Sequence, residues 1–324
     1  MIRPRRLAAG LAAAALLAAA CGPSGDRPRK LVYALPVSVP ASLAYIAMDK
    51  GFFRDEGLDV ETKMFSSGRE ALQTLLAGQA QIQSVSETPV VHAILQGNRV
   101  VTIAAISEHA EAKLLARTDR GISRPGDLRG KRVATLPGTN ADYFMHRLLA
   151  EHGLAPGDLR ITNMSPPDMV VALAKGDIDA YFAWEPHIHY GRKALPGRTM
   201  VFFPGKLYRG HATVNMDPDF AARNPGTVRA VLRALLKAEE FARRQPQESI
   251  ALVSRRLDMD PQVLQELWAE EDLRVHLDRS LVDQMTDIGR WAAALLGGGA
   301  SPPDIRAHIH DQELREEKPL AVQL

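Results

Sequence analysis

The chain has 324 residues, with 40 Lys and Arg against 38 Asp and Glu, one Cys, and a formal charge of +2. Three arginines (Arg3, Arg5, Arg6) and no acid fall in the first 20 residues, so the rest carries 37 basic and 38 acidic side chains and has no nucleic-acid signature. One cysteine allows no intrachain disulfide, and about 300 residues exceed a single-core size and imply two lobes.

Residues 1–20 read as an export signal. The three arginines precede an apolar run over 7–20, and the small residues Ala18, Ala19 and Ala20 lead into Cys21 and Gly22. That run is too short to span a bilayer as a helix. A cysteine directly after the cleavage site resembles the lipobox of bacterial lipoproteins, where the thiol is acylated. The usual Leu three residues before the cysteine is Ala18 here, with Leu17 one place earlier. No later apolar stretch approaches membrane-spanning length, so the expected product is soluble and held only through a lipid on Cys21. Residues 21–30, rich in Gly, Pro, Ser and charge, read as a flexible tether.

From Leu31 strands and helices alternate. Strands are expected at 31–36, 59–65, 82–86, 100–107 and 113–117, with helices at 41–50, 67–77 and 89–96. After a Gly/Pro-rich loop near Thr118 a second series begins. Its strands are 132–136, 160–164, 179–184 and 199–203, its helices 141–152 and 167–175. A strand at 211–216 is followed by helices at 218–243, 246–256, 260–270 and 279–296, and by a charged tail from Asp304 expected to be only partly ordered. This is an α/β pattern with parallel or mixed sheets. Two series and a return to helices place one lobe at 31–117 plus 213–324 and the other at 118–212, joined by a hinge crossed twice.

Open α/β sheets bind ligands beyond the carboxyl ends of their strands. Three such ends run into capped helices. Ser67 is followed by Glu70 in a capping box, Thr88 by Pro89 at the first helical position, and Thr139 by Asp142. Unpaired N–H groups at converging helix starts make a site for a neutral or anionic ligand without a charged side chain. Singly, each is an ordinary cap. Trp184 ends a strand and reads equally as a flat ligand wall or a core residue. Glu87, Glu108 and Glu185, all near strand ends, either favour an amine- or amidine-bearing ligand or point to solvent. His187/His189 and His308/His310 form His-x-His pairs that read as surface histidines, so no metal is expected. There is no GxSxG elbow, P-loop or GxGxxG.

Several segments carry a family resemblance: DKGFFRDEGLDV at 49–60, FSSG at 65–68, AGQAQI at 77–82, DLRGKRV at 127–133, PGT at 137–139, GDIDA at 176–180 and AWEP at 183–186. Their order resembles that in substrate-binding proteins of ABC importers for nitrate, sulfonates, taurine and thiamine pyrimidine precursors. The resemblance implies a type II periplasmic-binding-protein-like fold whose lobes close on a small solute. It implies ligand loops at Ser38, Ser67, Glu87, Thr88, Glu108, Gly138, Thr139, Asn140, Trp184 and Glu185. It also implies a periplasmic monomer that serves a permease and its ATPase, with no catalytic residue, cofactor or nucleic acid. The ligand is expected to be a sulfonate-, nitrate- or taurine-like anion. The alternative is an aminopyrimidine or other amine-bearing solute held by Glu87 and Glu185. A periplasmic enzyme on the same fold is a third reading. A yeast thiamine-pyrimidine synthase shares the fold, but its family's cysteine-rich iron motif has no counterpart in a chain whose one cysteine is Cys21.

Overall fold

The computed structural model describes residues 29–296 and 301–324. The export signal, Cys21 and the tether up to residue 28 lie outside the described residues. Arg29 and Lys30, expected in the tether, instead begin the first strand, where they pair with Leu58 and Asp59.

The first half contains β1 (Arg29–Pro36), α1 (Ser42–Asp49), α2 (Phe52–Asp55), β2 (Leu58–Phe65) and α3 (Gly68–Leu76). It continues through β3 (Ile82–Ser86), α4 (Glu87–Leu95) and β4 (Val101–His109). The chain then crosses into β5 (Lys113–Arg117), β6 (Arg132–Thr135), α5 (Asn140–Glu151), β7 (Arg160–Asn163) and α6 (Pro166–Lys175). Next come β8 (Ala180–Ala183), α7 (His187–Ala194) and β9 (Thr199–Phe202). It returns through β10 (Gly210–Met216) to α8 (Pro218–Arg223), α9 (Pro225–Arg244), α10 (Pro246–Leu257) and α11 (Pro261–Trp268). The end comprises β11 (Leu277–Asp278), α12 (Arg279–Leu296), α13 (Gln312–Glu317) and β12 (Val322–Gln323).

The strands form two five-stranded mixed sheets, ordered β2-β1-β3-β10-β4 and β7-β6-β8-β5-β9. In each, four strands run in the same direction, and the strand delivered by the crossing chain is inserted antiparallel: β10 in the first sheet, β5 in the second. The sheet changes between His109 and Lys113, so β5, expected with the first lobe, pairs with β8 and β9 of the second. An apolar run of strand length does not announce its sheet; only pairing does.

Other differences are local. The helix expected over 218–243 is broken at Asn224, because Pro225 cannot continue the backbone ladder. In α9 the residues Val228, Val231, Leu232, Leu235 and Ala238 repeat at helical spacing and are buried. The tail is packed: Ile305, Leu314, Ala321 and Val322 are buried, and β12 pairs in parallel with β11. Its charges reach α9, through Arg229–Glu316, Arg233–Glu317 and Lys318–Glu239. Charged composition concealed an amphipathic strap.

Candidate functional site

The three helix starts do meet. Gly68 and Arg69 at the start of α3, Pro89 in the first turn of α4, and Thr139 and Asn140 at α5 all border one pocket. Pro36, Ser38, Pro40 and Ala41 close one side, and Trp184 and Glu111 another, around a narrow cavity of about 20 Å³. The pocket lies between the sheets, since α3 and α4 follow strands of the first and α5 follows a strand of the second.

Local sequence explains two of these starts. The Ser67 hydroxyl accepts from Glu70 N–H at 3.3 Å, and Thr139 Oγ1 accepts from Asp142 N–H at 3.4 Å. In α5 the Ala141 N–H is also taken, by Asn140 Oδ1 at 3.0 Å, so fewer first-turn N–H groups are left there for whatever enters the pocket. Gly68 is required by close approach, because a Cβ there would lie 2.2 Å from Val85 Cγ2. The third start differs from expectation. Ser86 occupies the N-cap position, α4 begins at Glu87, and Thr88 is already helical and buried. The strand ends at Ser86 as expected, but the helix begins two residues earlier than a Thr88 cap requires, and the Glu87 carboxyl lies inside the protein.

Of the residues singled out by sequence, Ser38, Thr139, Asn140 and Trp184 line the pocket, whereas Ser67 supports it from the N-cap of α3. Trp184 is both wall and core, being only 4 % exposed. Gly138 borders a separate depression with Arg69 and His92. Glu87 is sealed beneath the pocket, accepting from Tyr208 Oη and from His211 N–H at 2.8 Å each. Burial raises its carboxyl to about 7 despite those two donors. Glu108 faces away, held by Arg209 at 2.6 Å and Arg274 at 3.4 Å. Glu185 is buried, accepts from His189 N–H at 2.9 Å and pairs with Lys113 at 3.5 Å. Glu87 and Glu185 are therefore structural carboxylates, already satisfied by protein donors. His187, expected at the surface, is buried against Trp184 with ring centroids 6.2 Å apart, and burial lowers it to about 4.

The carboxylate that sequence reasoning missed is Glu111. It lies on the crossover between β4 and β5, lines the pocket, and is 5 % exposed. Its Oε1 is buried with the Asn140 amide as the nearby side-chain donor, and neither Oε1 nor Asn140 Nδ2 makes a well-formed hydrogen bond. Burial, with the negative charge of Glu271 second, raises Glu111 well above the usual carboxylate range. Burial likewise raises Glu271 to about 8. Lys113 Nζ, on a side chain 2 % exposed, lies 3.1 Å from Glu270 and 3.5 Å from Glu185. The crossover thus gathers Glu111, Glu185, Glu270 and Glu271 around the buried Lys113 side chain. The only sequence signal was that 109–113 joins two expected strands, both assigned to the first lobe.

The halves also touch around the pocket. Arg69 Nη1 donates to the Pro137 carbonyl at 2.7 Å. Trp291 of α12 packs edge-on to Tyr143 and His146 of α5, at centroid separations of 5.1 and 5.2 Å.

The arrangement has known counterparts. A family model described as NMT1/THI5 like matches residues 41–249, more than half of the chain. The chain belongs to this family. Its relatives and structural neighbours include periplasmic solute-binding proteins. The taurine-binding periplasmic protein of Escherichia coli (strain K12) is 28% identical over 206 residues, 62% of each chain. Among solved structures, the alkanesulfonate-binding protein SsuA from Xanthomonas axonopodis pv. citri, bound to MOPS, matches with TM-score 0.75 at 20% identity, covering 88% of this chain and 99% of that one. The periplasmic nitrate-binding protein NrtA from Synechocystis PCC 6803 matches with TM-score 0.70 at 16% identity, covering 90% and 88%. The fold is that of the periplasmic binding proteins.

Proposed function

We propose that the chain is the solute-binding component of an ABC importer, which captures a small polar solute between two lobes and delivers it to the permease and its ATPase. One lobe comprises β1–β4, β10 and the helices after it; the other comprises β5–β9. The observation that carries this reading is the pocket itself: helix starts from both sheets converge where the chain crosses between them. Bound solute stabilises the closed arrangement by differential affinity, and closure leaves the solute covalently unchanged. The protein acts in the periplasm, held to a membrane by the lipid on Cys21.

Relatives bind taurine, sulfonates and nitrate, so an anionic head seated on the helix starts is the first expectation for the ligand. Glu111 favours a refinement. An amine on the ligand would bring a strong donor to its buried, poorly satisfied Oε1 and, being cationic, would draw the carboxyl into its ionised form. A small zwitterion such as an amino sulfonate meets both demands, and Glu111 takes over the amine-binding role expected of Glu87 and Glu185. Titration calorimetry with taurine, ethanesulfonate, nitrate and an aminopyrimidine tests this. Taurine should bind at micromolar affinity or better, and Glu111→Gln should weaken it by roughly tenfold or more while sparing ethanesulfonate. If none of the four binds, the transport reading fails; if Glu111→Gln leaves taurine unchanged, the amine assignment fails.

A further inference from the structure

Away from the pocket, His211 of β10, His276 just before β11 and Asp278 of β11 come together. One ligand-capable atom of each lies within 4.8 Å of the others, and both histidines are 2 % exposed. His276 is pinned by its backbone, which exchanges hydrogen bonds of 2.7 and 3.0 Å with Ala105 of β4.

The hydrogen bonds around the cluster define which nitrogens are free. His276 Nδ1 lies 3.1 Å from the Arg274 carbonyl, which can only accept, so Nδ1 carries the proton and Nε2 the lone pair. That Nε2 is buried without a hydrogen-bond partner and lies 3.7 Å from Asp278 Oδ2. Ser280 Oγ gives its single proton to Asp278 Oδ1 at 2.6 Å. It must then accept from His211 Nε2–H at 3.1 Å, which leaves His211 Nδ1 as a buried lone pair without a partner. Each imidazole thus keeps one idle lone pair, and the two rings lie beside a carboxylate. Each is oriented by an outer partner, as metal-binding histidines are.

We propose that His211, His276 and Asp278 form a binding site for a divalent d-block cation of the zinc, nickel or cobalt type. Two imidazoles and one carboxylate suit these ions rather than magnesium or calcium, which prefer oxygen donors. The surrounding charge permits a cation. Asp278 and Asp272 with Glu108 outnumber Arg274 and Arg209, and Arg274 is engaged by all three acids, at 2.6 Å from Asp272, 3.0 Å from Asp278 and 3.4 Å from Glu108. A bound ion would clamp the C-terminal segment at β11 to β10, the strand by which the chain returns from the second sheet.

The test is titration of the chelator-stripped full chain with zinc and, separately, magnesium, followed by calorimetry and thermal unfolding. Zinc should bind at one equivalent with micromolar affinity and raise Tm by a few degrees when well above Kd, while magnesium does neither. His276→Gln and Asp278→Asn should each weaken zinc by about tenfold or more, whereas the double variant His308→Gln with His310→Gln retains it. Cobalt in the wild-type chain should give a visible d–d spectrum of nitrogen-containing ligation, a readout that needs no variant. Absence of zinc binding and of that spectrum, or an undiminished equivalent in both His276→Gln and Asp278→Asn, overturns the site.

Discussion

Glu87 offers a quantitative check on the structure, because it is fully buried and its two partners are both protein groups. Its carboxyl is raised from an ordinary 4.5 to about 7, with burial outweighing the donors Tyr208 and His211. A raised carboxyl favours the protonated form in the folded state. Its contribution to stability is present below the unfolded value of 4.5 and is lost as pH climbs through about 7. The full displacement corresponds to about 3 kcal/mol. Glu87→Gln keeps the shape and removes the charge. The amide oxygen still accepts from His211 N–H, and the NH2 faces a Tyr208 hydroxyl that can accept. Urea unfolding of both proteins at about pH 4 and about pH 8 isolates the effect, since every other titrating group cancels in the difference. The stability difference should move by about 3 kcal/mol in favour of Glu87→Gln between the two conditions. A difference flat with pH would refute the buried, donor-paired placement of this carboxyl.

Lys113→Met should destabilise by about 3–5 kcal/mol at neutral pH, because it strips the buried cation from Glu185 and Glu270; a loss below about 1 kcal/mol in chemical denaturation would show the cluster to be solvated. Leu314→Ala should cost about 2–5 kcal/mol whereas Leu320→Ala, 86% exposed, should cost almost nothing, and equal effects would mean the tail is not docked. Gly68→Ala forces a Cβ to 2.2 Å from Val85 Cγ2, so it should cost about 1–3 kcal/mol and weaken ligand binding by disturbing the start of α3; wild-type values for both would contradict the packing.

Most elements were legible because their signals are local. The strand at 82–86 and the helix at 279–296 coincide with β3 and α12, and both start where punctuation or a capping residue precedes an apolar pattern. The errors arose where a local signal served a distant partner. Thr88 looks like a cap, yet Ser86 holds that position. The tail after Asp304 looks like solvated charge, yet Leu314 and Val322 are spaced to reach the core. Glu87, Glu108, Glu111 and Glu185 are alike as sequence, and only their surroundings separate them.

The sequence by itself determined the α/β alternation, the two series, the helix starts at strand ends and the family to which they belong. Spacing, caps and breakers act over a few residues, so they can be read without the fold. Tertiary structure decided which strand joined which sheet, that Glu111 rather than Glu87 or Glu185 faces the pocket, and that His211 meets His276. Those outcomes depend on strand pairing and burial between segments far apart in the chain, and desolvation acts on a carboxylate or an imidazole only once its surroundings are complete.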